Sequence, residues 1–276
     1  MKLSSLWKRT KSSAVSAQSP PPATAMTTSR SWNVKFLLEN QGEAPTARHA
    51  LIILNQPFSL SLLRRLWAST QWHCCADGGA NRLYDAFQNE QDRLEFLPDL
   101  IKGDLDSIRP AVRSYYEALG VPVVQDRDEN ATDLMKCIAA LKEKEKLENV
   151  SYHIIFLGGL SGRLDQTIHT LSYLHKLRKE REQVYVVTDD NVGWVLDEGE
   201  HHIDIEHDIL GQTCGLLPVG IASTILSTTG LRWNLTNHLS SFGGMVSTSN
   251  HLVPEEKVVW IKTTEPIWWT VELKNI

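Results

Sequence analysis

Between residues 49 and 187, short apolar runs alternate with segments of helical periodicity, and this alternation constrains the fold more than any other feature. Residues 49–55, 72–76 and 152–157 are apolar almost throughout, as is typical of strands buried on both faces of a parallel sheet. Repeated strand–helix units with short connections predict a parallel α/β sheet, Rossmann-like in arrangement. We therefore predict an α/β domain over residues 49–190.

Acidic side chains follow four successive predicted strands. Asp77 follows the second strand, Asp104 and Asp106 the third, Asp133 the fourth and Asp165 the fifth. In open parallel sheets the ligand site lies beyond the carboxyl ends of the strands, so we expect these carboxylates at one edge. Like charges gathered together repel, and such a cluster therefore indicates a bound cation.

The sequence Gly-Asp-Leu-Asp-Ser at residues 103–107 places two carboxylates two positions apart. In extended backbone such residues point the same way, so Asp104 and Asp106 would offer two hard oxygen ligands to one Mg²⁺. The alternative is that Asp106 and Ser107 only cap the following helix. The three other acidic strand ends favour the metal–phosphate interpretation.

The pattern changes after about residue 190, where helical periodicity stops and short alternating segments with turns follow. Such a series predicts a β-sandwich, so we assign residues 191–276 to a second, all-β domain. His201 and His202 are adjacent in a predicted strand and would face opposite ways, which favours a solvated pair over a metal site.

Residues 1–48 differ in composition from the rest. Acidic residues are absent before Glu39, serine is frequent, and three prolines follow Ser19. We predict an extension that is disordered or serves in targeting, dispensable for stability and catalysis, with Met26 as a possible internal start. The expected location is cytoplasmic, and mitochondrial targeting by residues 1–48 is the alternative.

Composition excludes several classes of protein. A net charge of −5 argues against a nucleic-acid-binding surface, which usually carries a basic excess. No apolar run approaches the ~20 residues of a membrane span, so we expect no membrane partner. The four cysteines lack the spacing of a zinc site and are predicted to be buried free thiols in a reducing compartment.

Six motifs in order resemble the thiamin pyrophosphokinase family and together extend over residues 51–273. They are ADGGANR at 76–82, GDLDS at 103–107, TDLMK at 132–136, GGLSGRLDQ at 158–166, TTGLRWNL at 228–235 and STSN at 247–250. The resemblance implies transfer of diphosphate from ATP to thiamin with release of AMP, Mg²⁺ as cofactor, and a homodimer whose active site is shared between protomers. Asn130 and Ala131 depart from the family pattern, which puts nucleotide contacts in question more than the reaction.

The resemblance also implies roles for individual residues. Asp104, Asp106 and Asp133 would bind the metal, Asp77 would orient or deprotonate the attacking hydroxyl, and Arg163 and Asp165 complete the catalytic set. Residues expected to contact ATP are Asn81, Arg82, Ser107, Thr132, Lys136, Gly158, Gly159 and Gln166. Residues expected to contact thiamin are Trp233, Asn234, Ser247, Ser249 and Asn250. An equally good interpretation is that the Trp233 side chain packs in the core of the β-sandwich.

Two other functions fit parts of the pattern. A metal-dependent phosphoesterase also uses carboxylates at strand ends, but such sites usually recruit histidine, and none lies in the four acidic loops. A non-catalytic nucleotide-binding regulator would keep the fold without the chemistry.

Overall fold

The computed structural model describes residues 29–39 and 47–276. Within these residues the helices are α1 (Leu60–Ser69), α2 (Gly79–Asp85), α3 (Glu90–Leu94), α4 (Pro110–Ala118), α5 (Asp133–Glu148) and α6 (Leu164–Leu177), with a 3₁₀ turn at Lys35–Leu37. The strands are β1 (Ser29–Trp32), β2 (Arg48–Ile53), β3 (Trp72–Ala76), β4 (Leu100–Gly103), β5 (Val123–Gln125), β6 (Tyr152–Leu157), β7 (Val184–Val187), β8 (Asn191–Leu196), β9 (Gly199–Asp204), β10 (Leu210–Leu217), β11 (Thr224–Thr229), β12 (His238–Ser240), β13 (Ser247–His251), β14 (Val258–Thr263) and β15 (Ile267–Leu273).

A ten-stranded sheet forms the centre of the molecule, in the order β13-β10-β15-β8-β7-β6-β2-β3-β4-β5. The six strands from β7 to β5 are parallel, which confirms the predicted α/β class. Strand β5 lies at the sheet edge, as expected for a short strand preceded by Pro122. Helix α5 begins as predicted, with the Thr132 hydroxyl accepting the Met135 N–H.

The second, all-β unit is confirmed, but it shares the central sheet with the first. Strand β8 pairs antiparallel with β7, so the predicted boundary at residues 190 and 191 falls in a turn within one continuous sheet. A five-stranded sheet in the order β1-β9-β14-β11-β12 forms the other layer of the sandwich. Buried side chains of both sheets and of the α/β unit belong to one hydrophobic cluster.

Residues 29–39 are an ordered part of the sandwich, which corrects the prediction of a separate extension over residues 1–48. Strand β1 pairs in parallel with β9, and Trp32, Val34, Phe36 and Leu37 are buried in the main core. Arg65 of α1 donates to the Leu37 carbonyl oxygen at 3.2 Å. Local sequence does not predict the pairing of β1, because its partner strand lies about 170 residues away. Residues 1–28 and 40–46 lie outside the described residues, and targeting and cellular location stay predictions.

His201 is buried, so the prediction of a solvated histidine pair is wrong for this residue. Its Nδ1 accepts the indole N–H of Trp32 at 3.0 Å, and its Nε2 lies 2.9 Å from the Asp197 carbonyl oxygen. An Nε2–H tautomer satisfies both contacts, and burial lowers the pKa of this imidazole. His201 therefore fixes strand β1 as a neutral side chain and is not a metal ligand.

Cys74, Cys75, Cys137 and Cys214 are free and buried, as predicted. Within residues 29–39 and 47–276, every helix is too short or too polar to cross a bilayer.

A pair of half-buried histidines lies at the amino-terminal edge of the parallel sheet. His49 of β2 and His153 of β6 are register partners, with ring centroids 5.3 Å apart. Burial, with a smaller contribution from His153, lowers the pKa of His49 from 6.5 to about 4. Burial also lowers the pKa of His153, although nearby Glu182 opposes the shift.

Acid should destabilise the fold through His49. An unfolded histidine binds a proton near pH 6.5 and the folded one only near pH 4, so this stability is present above pH 6.5 and lost as the pH falls toward 4. Between pH 7 and pH 5 we expect the free energy of unfolding to fall by about 2 kcal/mol from this group alone. Urea titrations of wild type and His49→Phe should show a shallower acid dependence in the variant. The exposed-site variant His238→Gln should match wild type, and equal slopes for His49→Phe and wild type would contradict the assignment.

Removing residues 29–39 should destabilise the protein. A chain beginning at Met26 retains β1, whereas one beginning at Ala47 loses four buried apolar side chains. Each contributes about 1.5–3 kcal/mol, so we expect the shorter chain to lose roughly 5 kcal/mol or more. Chemical denaturation of both chains measures this, and equal unfolding midpoints would show that β1 contributes nothing.

Candidate active site

The candidate site lies where the order of the parallel strands reverses. From β2 the chain proceeds through β3, β4 and β5 on one side and then returns to β6 and β7 on the other. In open α/β sheets, ligands bind at this switch point, beyond the carboxyl ends of the strands. A cavity of about 450 Å³ opens there.

Three carboxylates meet in this cavity. Asp77 follows β3, Asp104 follows β4 and Asp133 begins α5, and one oxygen of each lies within 4.8 Å of the others. Asp77 is buried, and its two oxygens accept the amide N–H groups of Ser107 and Ile108 at 2.9 and 3.0 Å. These bonds fix the 104–108 loop against β3. Both oxygens of Asp77 are already engaged by amides of the protein, so the geometry favours anchoring or metal binding by Asp77 over the predicted deprotonation.

Asp133 divides its two oxygens between the protein and the cavity. Oδ1 accepts the Asp104 N–H at 3.1 Å and the Lys136 ammonium at 3.2 Å. Lys136 is almost fully buried and does not line the cavity, so its predicted phosphate contact is replaced by charge compensation of Asp133. The second carboxylate oxygen, Oδ2, receives no hydrogen bond from the described residues and remains available to a ligand.

The electrostatics fit a divalent cation. Burial raises the pKa of Asp77, and the nearby carboxylates Asp133 and Asp104 raise it further, against the two amide bonds that lower it. A cation would relieve this repulsion. Three carboxylates supply the hard oxygen ligands that Mg²⁺ prefers, so the residues present fit the metal implied by the resemblance.

Asp106 is not brought into this cluster. Leu105 has φ +64°, so the backbone between Asp104 and Asp106 is not the extended backbone on which the prediction of two adjacent metal ligands depended. The Asp106 N–H donates to Asp104 Oδ1 at 3.1 Å, and its carboxylate accepts the Ser107 hydroxyl at 2.8 Å. Asp106 lines the cavity at greater exposure. The capping alternative is also wrong, because the N-cap of α4 is Arg109, without a side-chain cap.

Close backbone approach explains the glycines around the acids. A Cβ on Gly103 would lie 2.6 Å from Asp77 Cβ, and one on Gly79 would lie 2.2 Å from the Ile53 carbonyl oxygen. The tight turn after β3 is made by Asp77, with φ +41°, and α2 already begins at Gly79. Gly79 and Gly103 thus allow close backbone packing, and Asp77 adopts the strained left-handed conformation.

The loop from Gly158 to Arg163 forms the opposite wall. Gly158, Gly159 and Gly162 all have φ between +78° and +99°, which glycine adopts most readily. The Gly158 N–H donates to the Val187 carbonyl oxygen and the Gly159 N–H to Gln56 Oε1. These two amides are therefore already bonded, contrary to the prediction that they hold phosphate.

Arg163 faces the cavity, whereas Asp165 does not line it. Asp165 pairs with Arg163 through two hydrogen bonds, and both side chains are largely exposed. This bidentate contact lowers the pKa of Asp165. The acid predicted at the end of the fifth strand, Asp165, therefore does not join Asp77, Asp104 and Asp133.

The remaining predicted nucleotide contacts divide into two groups. Ser107, Thr132, Gly159 and Gln166 line the cavity. Asn81 and Arg82 lie behind it: Asn81 bonds the Ser107 carbonyl oxygen and the Arg109 N–H, and Arg82 donates to Asn55. Of the two departures from the family pattern, Ala131 lines the cavity, and Asn130 donates to Asp128.

Sequence reasoning missed several residues of the cavity wall, among them Asn55, Gln56 and His169. Asn55 and Gln56 lie just after β2, the strand at the switch point, so the rule that located the acids also indicates them. His169 lies one turn into α6 beneath the loop and had no motif to mark it.

The residues expected to contact thiamin lie in the all-β unit. Trp233 is 51% exposed, so it is not sandwich core, and Arg232 lies over its ring at 4.9 Å. Buried Asn250 holds it by accepting the Trp233 N–H at 3.2 Å and donating to its carbonyl oxygen at 2.9 Å. Asn234 Oδ1 accepts the Leu231 N–H in the same loop. Ser249, with φ +55°, lines a separate cavity of about 500 Å³.

The fold and site define a class. Clustered carboxylates facing an arginine and a glycine-bearing loop, at the switch point of a parallel sheet, are the arrangement of an α/β enzyme that handles metal-bound phosphates.

Comparisons with known proteins identify the family. Residues 63–186 match the family profile "Thiamin pyrophosphokinase, catalytic domain", and residues 200–268 match "Thiamin pyrophosphokinase, vitamin B1 binding domain". The chain is 40% identical over 239 residues to thiamine pyrophosphokinase 3 of Oryza sativa subsp. japonica, covering 83% of this chain and 88% of that relative. It is 36% identical over 250 residues to thiamine pyrophosphokinase 1 of Arabidopsis thaliana, covering 87% and 92%. The chain therefore belongs to the thiamin pyrophosphokinase family.

Solved structures agree with this assignment. The crystal structure of yeast thiamin pyrophosphokinase superposes with a TM-score of 0.79 at 25% identity, covering 91% of this chain and 94% of that one. Thiamin pyrophosphokinase from Candida albicans gives 0.76 at 26% identity, covering 89% and 93%.

Neutralising one acid of the cluster should remove metal binding without unfolding the chain. We expect Asp104→Asn to reduce turnover by ~10²-fold or more, because its charge is lost at nearly constant volume. Calorimetric titration with Mg²⁺ should show weaker binding, and the circular dichroism spectrum should be unchanged. The exposed-site variant Asp208→Asn is the matched control. Near-normal turnover of Asp104→Asn at limiting Mg²⁺ would contradict the assignment.

Proposed function

We propose that this chain transfers a diphosphate group from ATP to the hydroxyl of thiamin, giving thiamin diphosphate and AMP. The observation that carries the proposal is the Asp77–Asp104–Asp133 cluster facing Arg163 across the switch-point cavity. Both halves of the chain match the corresponding family profiles, and the named relatives carry the same designation.

The acid cluster would hold Mg²⁺, with Asp104 and Asp133 offering oxygens that the protein leaves available. When bound, the ion supplies charge neutralisation and polarisation of phosphate oxygens. The chain's own part is to keep the carboxylates in place: the Ser107 and Ile108 amides hold Asp77, and Lys136 holds Asp133. Catalysis of phosphoryl-type transfer consists largely of such positioning and charge stabilisation.

Arg163 and the first turn of α6 form the positive side of the cavity. Arg163 is the N-cap of this 14-residue helix, whose amino end carries a partial positive charge. Its ion pair with Asp165 is exposed, and exposed ion pairs are screened by solvent and contribute little to stability. A phosphate, which matches the guanidinium fork as well as a carboxylate does, can therefore exchange with Asp165 at small cost.

Thiamin is a flat cation, and Trp233 offers a half-exposed aromatic face to it. The Asn250 hydrogen bonds fix the Trp233 backbone, so little conformational entropy is lost on binding. A desolvated contact between a cation and an indole ring contributes about 1–2 kcal/mol. Ser247 and Ser249 of the neighbouring strand supply hydroxyl groups near the same loop.

A homodimer with a shared site completes the proposal. Large apolar side chains are exposed on both units: Trp233, Leu239 and Phe242 in the all-β unit, and Leu164 and Ile168 on α6. Clustered exposed apolar side chains favour a protein interface. A two-fold dimer places the same surface of each protomer in contact, so each site can draw on both chains.

Incubation with ATP, Mg²⁺ and thiamin tests the function. Formation of AMP and thiamin diphosphate in equal amounts is the expected result. Phosphate release without thiamin would instead support the phosphoesterase, and binding without turnover the regulator. Neither alternative is favoured, because no histidine of residues 29–39 and 47–276 joins the acid cluster and the relatives are named as pyrophosphokinases.

Complementation between two inactive variants tests the shared site. Asp104→Asn disrupts the acid cluster, and Ser249→Trp disrupts the all-β unit. Each variant homodimer should therefore be nearly inactive. After co-refolding in equal amounts, mixed dimers have both lesions in one site and none in the other, and roughly a quarter of full activity should return. No recovery, with mixed dimers shown to have formed by mass spectrometry, would exclude the shared site.

A further inference from the structure

Gln56 makes an unusual set of hydrogen bonds across the switch point. Its single oxygen Oε1 accepts three donors: the Gly159 N–H at 2.7 Å, the Ser161 hydroxyl at 2.9 Å and the Ser161 N–H at 3.3 Å. Its amide nitrogen Nε2 donates to the Ser161 carbonyl oxygen. One side chain just after β2 therefore bonds four polar groups of a loop more than 100 residues away.

The loop needs such an external anchor. Gly158, Gly159 and Gly162 have left-handed backbone conformations and no side chains of their own to fix them. Glycine-rich segments lose more conformational entropy on ordering than any other sequence. Within residues 157–163, the backbone N–H groups of Gly158, Gly159 and Ser161 donate to the Val187 carbonyl oxygen and to Gln56. The Thr167 hydroxyl adds weaker contacts to the Ser161 and Arg163 carbonyl oxygens, each at 3.3 Å. Without Gln56, the Gly159 and Ser161 amides would lose their acceptor.

The Gln56 hydrogen bonds also determine which donor groups of this cavity wall remain available to a ligand. Because the Gly159 and Ser161 amides are bonded to Gln56, the positive groups left on this wall are Arg163 and the first turn of α6. The position of Arg163 depends on the loop that precedes it. Gln56 thus sets the direction from which the guanidinium reaches the cavity.

We propose that Gln56 is a positioning residue for ATP, acting through the Gly158–Arg163 loop and not by contact with the reacting atoms. This inference rests on the proposed use of ATP. Gln56 lies beyond the buried part of β2, whose core side chains end at Ile53. Its replacement therefore leaves the core intact, and the variants should fold.

Two variants separate hydrogen bonding from packing. Gln56→Ala removes the side chain, and Gln56→Met keeps its length without its hydrogen bonds. In both we expect the KM for ATP to rise about tenfold, because binding must then order the loop. We expect kcat and the KM for thiamin to change less than about threefold, since the acid cluster is untouched. Gln88→Met, at an exposed position, is the matched control.

Hydrogen exchange gives a readout independent of catalysis. Mass spectrometry should show the 158–163 segment exchanging about tenfold faster or more in both variants, with the melting temperature within about 3 °C of wild type. Unchanged exchange, or a KM for ATP that stays at the wild-type value while exchange accelerates, would overturn the proposal. A Gln56→Met variant indistinguishable from wild type would show that packing, not hydrogen bonding, holds the loop.

The proposed function can fail separately from this inference. If wild type forms no thiamin diphosphate, that function fails, and ATP affinity measured by calorimetry takes the place of KM. An affinity weakened about tenfold in both variants would then support Gln56 as a positioning residue, and an unchanged affinity would overturn it.

Discussion

Three like charges held within 4.8 Å of one another are the constraint on which the rest of the site depends. In water such carboxylates would separate, and here the backbone prevents it. Two amides bind Asp77, a third binds Asp133, and buried Lys136 adds one compensating charge. Gly103 brings β4 close enough for this, because any side chain there would meet Asp77. The fold therefore holds the three carboxylates together against their mutual repulsion, which is typical of a site that binds a cation.

The continuity of the central sheet explains how the two units keep a fixed relation. Strands β7 and β8 pair with each other, so the parallel and antiparallel halves share one hydrogen-bonded ladder. Residues 29–39 reinforce this connection. They add β1 to the second sheet and then pack the 3₁₀ turn against α1 of the first unit. Trp32 also contacts the rings of Tyr185 in β7 and Trp194 in β8. These contacts lie where the parallel and antiparallel halves of the central sheet meet.

Local patterns predicted the parallel strands, the start of α5 at Thr132 and the gathering of Asp77, Asp104 and Asp133, because periodicity and the position of strand ends carry that information. They failed where a single backbone angle or a distant partner decides the outcome. Leu105 turns left-handed, and Asp106 leaves the cluster. Trp32 meets His201 across 169 positions, so neither the order of residues 29–39 nor the burial of His201 follows from local sequence. In the sequence, Gln56 is an ordinary loop residue, because its contacts with the 158–163 loop exist only in the folded structure.

The cavity is divided by charge along the switch point. Strands β3 and β4 and helix α5 contribute the acids on one side, and the loop before α6 contributes Arg163 and a helix amino end on the other. Such a division suits a ligand that is itself anionic but carries a cation at one end, since each wall then meets the opposite charge. A simple anion would be repelled by the acidic wall, and a free cation would leave Arg163 unused. The charge pattern thus supports the proposed metal-bound polyphosphate over either component alone, and residues from both sides of the strand reversal would contribute to its recognition.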